Sequence, residues 1–268
     1  MNRPLPPLAT EAAALSGTQT LMRGLAVIHA VADGCRDLKA LCARTGIARS
    51  TVHRLASLLV RERYLRSISG SGYALGPRLI ELGFQARAEL SLVELARPHL
   101  EALAQSTGET IHLAVRDGDE VLYLDKIAGT HGLEMRSRVG QRMPLAYTGV
   151  GKALLLDAQE SEWLRVFEAG QPAARLCGPG LCWPDFVARM RSYAQGGYAY
   201  DLEDNEPSVR CVAAPVRAAG GAIVAGLSVS STVPYLSLQR MEQLRPVVQA
   251  AAAAVSSELG FVAVPRPA

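Results

Sequence analysis

The sequence predicts a multi-domain chain: a mostly helical head of three helices and a hairpin over residues 20–76, then an α+β body with an antiparallel sheet over residues 91–260. Three observations carry this. The apolar period is helical through the first 60 or so residues and changes to two from Thr110. Charge divides along the same line, with 11 Arg or Lys against 4 Asp or Glu in residues 1–80 and 17 against 21 in the remainder. A chain of 268 residues also has room for two cores. A basic head beside an acidic body fits a nucleic-acid-binding module joined to something else.

Residues 1–19 carry prolines and little periodicity, and lack the charged start, apolar centre and cleavage site of a signal peptide. They read as a flexible tail, and the chain as cytoplasmic. The first helix is expected from Thr20 to Ala32, where Leu21, Leu25 and Ile28 repeat at helical spacing and Gly34 follows as a stop. Two short helical segments then meet at Gly46. The second buries Val52, Leu55 and Leu59 and turns Arg49, Ser50, His53 and Arg54 the other way. A polar, basic second helix after a tight turn is how a helix-turn-helix meets the major groove of DNA. Tyr64–Ser67 and Gly72–Leu75 read as strands joined by a turn at Ile68–Ser71, which completes a winged helix-turn-helix.

The DNA-contacting residues expected on the second helix are Arg49, Ser50, Thr51, His53 and Arg54. An Arg fork suits guanine edges, whereas Lys39 and Arg66, on the preceding helix and the wing, suit phosphates. A surface helix with solvated charges is the bland reading, and the order of helix, turn, helix and wing argues against it. Gly76-Pro77 breaks the chain, and Pro77 suits the first turn of a linker helix over residues 77–90. Leu79, Leu82, Gly83, Ala86 and Leu90 keep one face of it apolar. A helix without a domain of its own points to pairing with a second copy, hence a homodimer.

The body opens with a helix from Leu92 to Ser106, interrupted by Pro98 and ended by Gly108. Strands are expected at Thr110–Arg116, Val121–Lys126 and Leu133–Ser137, with a turn at Asp117-Gly118-Asp119. Helical stretches follow at Gly149–Leu156, Glu160–Glu168 and Pro184–Gln195. Three more strands lie at Tyr198–Leu202, Val209–Val216 and Ala222–Ser230, before a last helix from Leu236 to Leu259 and a tail over residues 261–268.

Several chemistries are disfavoured. No run of about 18 apolar residues exists, so no membrane span is expected. The five cysteines are odd in number and form no C-x-x-C, which speaks against a disulfide framework or structural zinc. His29, His99, His112 and His131 show no metal spacing. No cofactor is implied. The stretch Gly149-Val150-Gly151-Lys152-Ala153 is no phosphate loop, because Ala146 and Ala153 stand where the first glycine and the hydroxyl are needed. It leaves a glycine-flanked helix start whose Gly149 and Val150 N–H groups suit a carboxylate. A tight packing turn accounts for the same glycines. Ser228 and Ser230 are two apart and share a sheet face. Cys211 as a nucleophile needs a base and an orienting group that no signature supplies, so a buried, inert thiol is expected.

Five stretches, in order, resemble the IclR family of bacterial transcription regulators: Thr45–Leu55, Tyr73–Gly76, Gly140–Ala153, Cys211–Val216 and Leu227–Ser230. The similarity runs from Leu21 to Gly260. It implies a winged helix-turn-helix head, a linker helix and a GAF-like effector-binding domain, with homodimers that often pair into tetramers. It implies double-stranded operator DNA as one partner and a small organic acid effector as the other. The resemblance further implies that Gly149, Val150, Ser228 and Ser230 face the effector together with Asp201 and Cys211, and that Met135 and Met143 supply an adaptable apolar wall. One of Arg136, Arg138 and Arg142 is expected to enter the pocket. Two positions depart from the family, which commonly has Ala where Gly149 stands and Gly where Ser208 stands. The stretch His131–Gly140 is similar to members that govern sugar-acid catabolism. The implied function is a ligand-responsive regulator of a sugar-acid or aromatic-acid catabolic operon. The alternative is an enzyme acting on a small acid, with an accessory DNA-binding domain and Cys211, Asp201 and a histidine as its reactive groups.

Overall fold

The computed structural model describes residues 18–69, 72–130, 135–174 and 181–262, and the chain divides into two compact units between Leu90 and Ser91. Most of both expected tails, and the tip of the expected wing turn, lie outside the described residues.

The first unit holds α1 (Gln19–Ala32), α2 (Leu38–Thr45), α3 (Arg49–Arg61), the antiparallel pair β1 (Leu65–Ile68) and β2 (Gly72–Leu75), and α4 (Pro77–Glu89). Asp37 caps α2 by accepting from the Ala40 N–H at 2.9 Å, and Gly46 ends it at φ +69°, a conformation that favours glycine. The core joins Val27 and Val31 of α1, Leu41 of α2, Val52, Leu55 and Ala56 of α3, and Leu65 of β1. The hairpin is fastened to the start of α2: Tyr73 N–H donates to Arg36 O at 2.7 Å, and Gly72 leaves no room there for a Cβ.

Helix α1 forms where expected but buries the other face. Ala26, Val27, Ala30 and Val31 are inside, whereas Leu21 and Leu25 are exposed. The leucine period marks a real stripe, but small residues pack against α2 and α3 at close range. Helix α4 likewise leaves Ile80 and Phe84 exposed.

The second unit is built on a six-stranded antiparallel sheet in the order β5-β4-β3-β8-β7-β6. Its strands are β3 (Thr110–Asp117), β4 (Glu120–Ile127), β5 (Arg142–Pro144), β6 (Ala199–Leu202), β7 (Val209–Arg217) and β8 (Ile223–Thr232). Helices α5 (Leu92–Thr107) and α9 (Leu238–Glu258) pack together and onto this sheet. Helix α6 (Gly149–Leu154) lies on β6, β7 and β8, while α7 (Glu160–Ala174) and α8 (Trp183–Gly196) close the edges. Pro98 sits inside α5 without ending it.

The strand expected at Leu133–Ser137 is absent over its described part, Met135–Ser137. The carbonyls of Met135 and Ser137 accept instead from Lys126 Nζ, at 2.6 and 2.8 Å. The edge position goes to β5, which pairs with β4 through Val121–Met143 and ends at Pro144, where the missing N–H suits an edge.

Candidate functional site

In the first unit, α3 turns Val52, Leu55 and Ala56 inward, and this fixes what the opposite side shows. Arg49, Ser50, His53 and Arg54 are exposed, and Thr51 is half-buried. Lys39 on α2 and Arg66 on β1 are exposed as well. Several other arginines of the head are held by carboxylates: Arg44 pairs with Asp33 at 2.9 Å, Arg63 with Glu81 at 2.7 Å and Arg78 with Glu81 at 3.1 Å. Among the described residues, Lys39, Arg49, Arg54 and Arg66 form no ion pair and present unneutralised charge. Helix α3 also begins at Ala48 without a side-chain cap, so its first N–H groups suit a phosphate.

In the second unit, the sheet face carrying Ser228 and Ser230 is roofed by the start of α6, by the segment 135–143 and by the turn after β6, which together enclose a cavity of about 60 Å³. Register explains the convergence. Ser230 of β8 lies opposite Thr110 of β3 and Cys211 of β7, and Asp201 of β6 lies opposite Cys211. Met135 and Met143 come from the roofing segment, and Gly149 and Val150 from the first turn of α6. All eight residues expected around the effector thus line one cavity. Arg136, at its mouth, lines it too, while Arg142 is held outside by Asp117 at 2.7 Å.

The glycines of α6 have a packing reason. A Cβ on Gly149 would stand 2.7 Å from Cys211 Sγ, and one on Gly151 would stand 2.0 Å from Leu145 O. Thr148 caps the helix by accepting from Gly151 N–H at 3.1 Å. The N–H groups of Gly149 and Val150, at the first two helical positions, have no intrahelical acceptor.

His112, which sequence reasoning left without a role, is a cavity residue. Its Nε2 lies 2.7 Å from Ser137 Oγ and its Nδ1 3.4 Å from Ser230 Oγ. Burial, and then the charge of Lys126, push it down to about 3, so the imidazole is neutral. Thr110 and His112 on one side of an otherwise apolar strand were the signal for it. Tyr123, Asn205 and Glu206 also line the cavity and carried no such signal.

Lys152 is fully buried below the cavity and donates to Tyr147 O at 3.2 Å, to Tyr200 O at 3.1 Å and to Asp204 Oδ2. Arg189 Nη1 reaches Asp204 Oδ1 at 3.0 Å. Burial works to raise the Asp204 carboxyl, but the charge and hydrogen bond of Lys152, with Arg189, hold it below the ordinary range. Asp201 receives no such direct partner. Burial, with the neighbouring Asp204 charge, pushes it up to about 7, against the opposing charge of Lys152 and the N–H groups of Asp204 and Asn205. Two carboxyls three residues apart therefore differ: one stays ionised, and the other keeps its proton to near neutrality.

Burial raises the Cys211 thiol to about 11 against the weak opposing effect of the Ser230 and Ser228 hydroxyls. No base contacts it among the described residues, and the His112 nitrogens are engaged elsewhere. It is a poor nucleophile. Ser228 Oγ is buried without an oxygen or nitrogen partner, and its polar neighbour is that thiol, a weak one.

The family described as bacterial transcriptional regulator IclR C-terminal matches residues 84–257, and the IclR helix-turn-helix domain matches residues 20–69. The chain is 33% identical over 263 residues to the DNA-binding transcriptional repressor YiaJ of Escherichia coli K12, covering 95% of this chain and 92% of that protein. It is 30% identical over 222 residues to the HTH-type transcriptional regulator KdgR of the same organism, covering 82% and 84%. The fold is shared with the solved structure of the Agobacterium tumefaciens repressor BlcR, at a TM-score of 0.78 and 23% identity over 93% of this chain and all of that one.

Proposed function

We propose, from the premise that the chain belongs to the IclR family of bacterial DNA-binding transcription regulators, that its cavity binds a small organic acid and that this binding sets the occupancy of an operator. The reading rests on one observation: residues from α6, β6, β7, β8 and the 135–143 segment meet around one cavity holding a buried hydroxyl with only a weak partner. The ligand's carboxylate meets the N–H groups of Gly149 and Val150 and the hydroxyls of Ser228 and Ser230. Asp201 supports this arrangement because, when protonated, it donates a hydrogen bond to an acid instead of repelling it. A wall of hydroxyls favours a sugar acid over an aromatic one, and hence a sugar-acid catabolic operon. The relatives are regulators, not enzymes, and Cys211 lacks the activation an enzyme would need.

Arg49, Ser50, Thr51, His53 and Arg54 read the major groove, and Lys39 and Arg66 hold phosphates. The protein acts in the cytoplasm as a homodimer, so that two heads meet two half-sites. Exposed Ile80 and Phe84 on α4, at 63% and 67%, supply apolar surface for the second copy. An effector that prefers one arrangement of the dimer shifts the balance of DNA-bound and free forms.

The test combines melting and mobility shift. Full-length protein is screened with keto, sugar and aromatic acids, and each stabilising acid is added to the protein–operator complex. The expected result is stabilisation by one acid class, with a matching change in operator occupancy and no turnover of the acid. Stabilisation without any change in DNA binding refutes the coupling, and product formation refutes the regulator-only reading.

A further inference from the structure

Resting on the acid-effector reading above, we infer that the cavity binds its acid together with a proton carried by Asp201, so that the regulator senses acid and acidity jointly and its ligand affinity falls as the solution becomes alkaline. Two observations carry this. Asp201 lines the cavity and is buried there, while the neighbouring lysine, Lys152, is engaged elsewhere. Ser228 Oγ, fully buried and without an oxygen or nitrogen partner, lines the same cavity, and such a group calls for a ligand or water.

Hydrogen bonds decide which carboxyl is neutralised. An ammonium has three donors. Lys152 Nζ gives them to Tyr147 O at 3.2 Å, to Tyr200 O at 3.1 Å and to Asp204 Oδ2. Arg189 completes the pairing of Asp204 at 3.0 Å. Asp201 is left with backbone donors: the Asp204 N–H meets its Oδ1 at 2.8 Å, and the Asn205 N–H also bonds to it. Among the described residues it forms no ion pair. A cavity of about 60 Å³ has room for about five waters, so the carboxylate of a bound acid lies close to this carboxyl. Two negative charges would then share one buried site, with no counter-charge for the second. A like charge within about 4–6 Å favours the protonated carboxyl.

The other groups around Asp201 leave the proton to it. Burial pushes the Cys211 thiol of β7 up to about 11 and raises Tyr123 of β4 and Tyr193 of α8, so all three stay protonated near neutrality. His112 of β3, at about 3, stays neutral. Lys152 of α6 and Arg189 of α8 remain paired with Asp204, which is held ionised. Glu206, from the turn after β6, lines the cavity and adds negative charge, while Arg136 at the mouth is exposed and solvent weakens its pull. Burial already lifts Asp201 to about 7, and a carboxylate bound beside it lifts it further. The acid-bound form therefore keeps the proton where the free form has lost it. Binding takes up a proton above about pH 7, and affinity falls about tenfold per pH unit there, levelling below about pH 6.

The experiment is calorimetric titration of the full-length protein with pyruvate, gluconate and benzoate from pH 6 to pH 9, in buffers of low and high ionisation enthalpy so that protons are counted. All three acids are ionised throughout this range, so their own titration adds nothing. For an acid that binds, affinity is expected to fall at least tenfold from pH 6 to pH 9, with uptake of about half a proton at pH 7 and nearly one at pH 8. Asp201→Asn, whose amide stands in for the protonated carboxyl, should bind that acid equally at pH 6 and pH 9 and take up no proton; a cooperative melt without ligand shows that it folds. A folded variant that keeps the wild-type pH slope, or that binds the acid at neither pH, overturns Asp201 as the site of the proton. Wild-type binding at one affinity across the range, without proton uptake, overturns the proton linkage and leaves the acid-effector reading intact. Failure of all three acids to bind overturns this inference, while the wider acid screen separately decides the acid-effector reading.

Discussion

Asp201→Asn should stabilise the body at alkaline pH and flatten its pH dependence. The wild-type carboxyl is 4% exposed and is moved from an ordinary 3.8 to about 7. Between about pH 4 and pH 7 the folded chain holds this proton and the unfolded chain does not. Folding then takes up a proton, so the Asp201 contribution to stability falls as pH rises through that window and is level above it. The full span corresponds to about 4 kcal/mol, at about 1.4 kcal/mol per tenfold. Asparagine carries no charge, and its Oδ1 still accepts the Asp204 N–H that meets Asp201 Oδ1 at 2.8 Å. Its amide needs a new acceptor, which offsets part of the gain, so about 2 kcal/mol at pH 8 is expected, or roughly 4–8 °C in Tm for a unit of this size. Both tryptophans, Trp163 and Trp183, lie in the body, so indole fluorescence follows this unit alone. Melts at pH 4.5 and pH 8 decide the matter. A variant shifted equally at both, or destabilised at pH 8, refutes a proton held at Asp201.

Three further substitutions test the arrangement around it and the DNA face. Asp204→Asn should act in the opposite direction, lowering body stability at neutral pH by about 3–5 kcal/mol because Lys152 is left buried without its counter-charge; the wild-type contribution of Asp204 should fade as pH falls through its lowered pKa, read in the same fluorescence melts. Arg54→Ala should cost operator affinity about fivefold to a hundredfold with little effect on unrelated DNA, measured by mobility shift against both. Lys39→Ala with Arg66→Ala should weaken both kinds of DNA alike and reduce the slope of log affinity against log salt by about 0.9 per charge removed.

Much of the fold was legible because it is decided locally. Gly46 at φ +69° and the Gly76-Pro77 break act within a few residues of where they stand. Errors came where the deciding contact lies elsewhere. The apolar stripe of α1 was read from its leucines, but the core accepts Ala26 and Ala30 because α2 and α3 approach closely there. The segment around Met135 alternates like a strand, and only Lys126, nine residues before Met135 and in another element, takes its carbonyls away.

The site divides in the same way. Ser228 and Ser230 were legible because strand parity places them on one face of β8, whereas Cys211 was implied by the family resemblance and reaches that face through the β7–β8 register. Alternation puts His112 with Thr110 on one side of β3, but only the β3–β8 register sets it opposite Ser228. Lys152 and Asp204 are 52 residues apart and meet only in the folded chain. Their meeting governs the chemistry of Asp201. On sequence, Asp201 and Asp204 are two equivalent carboxyls three residues apart. In the fold, one buried lysine is given to the second, whose charge then bears on the first, and desolvation does the rest. A cavity walled by hydroxyls and a carboxyl that holds its proton near neutrality is one an acid enters without meeting a fixed negative charge at Asp201. The acidic pair therefore counts less against an acidic ligand: the fold separates it into one structural charge and one carboxyl that still carries its proton about half the time at neutral pH.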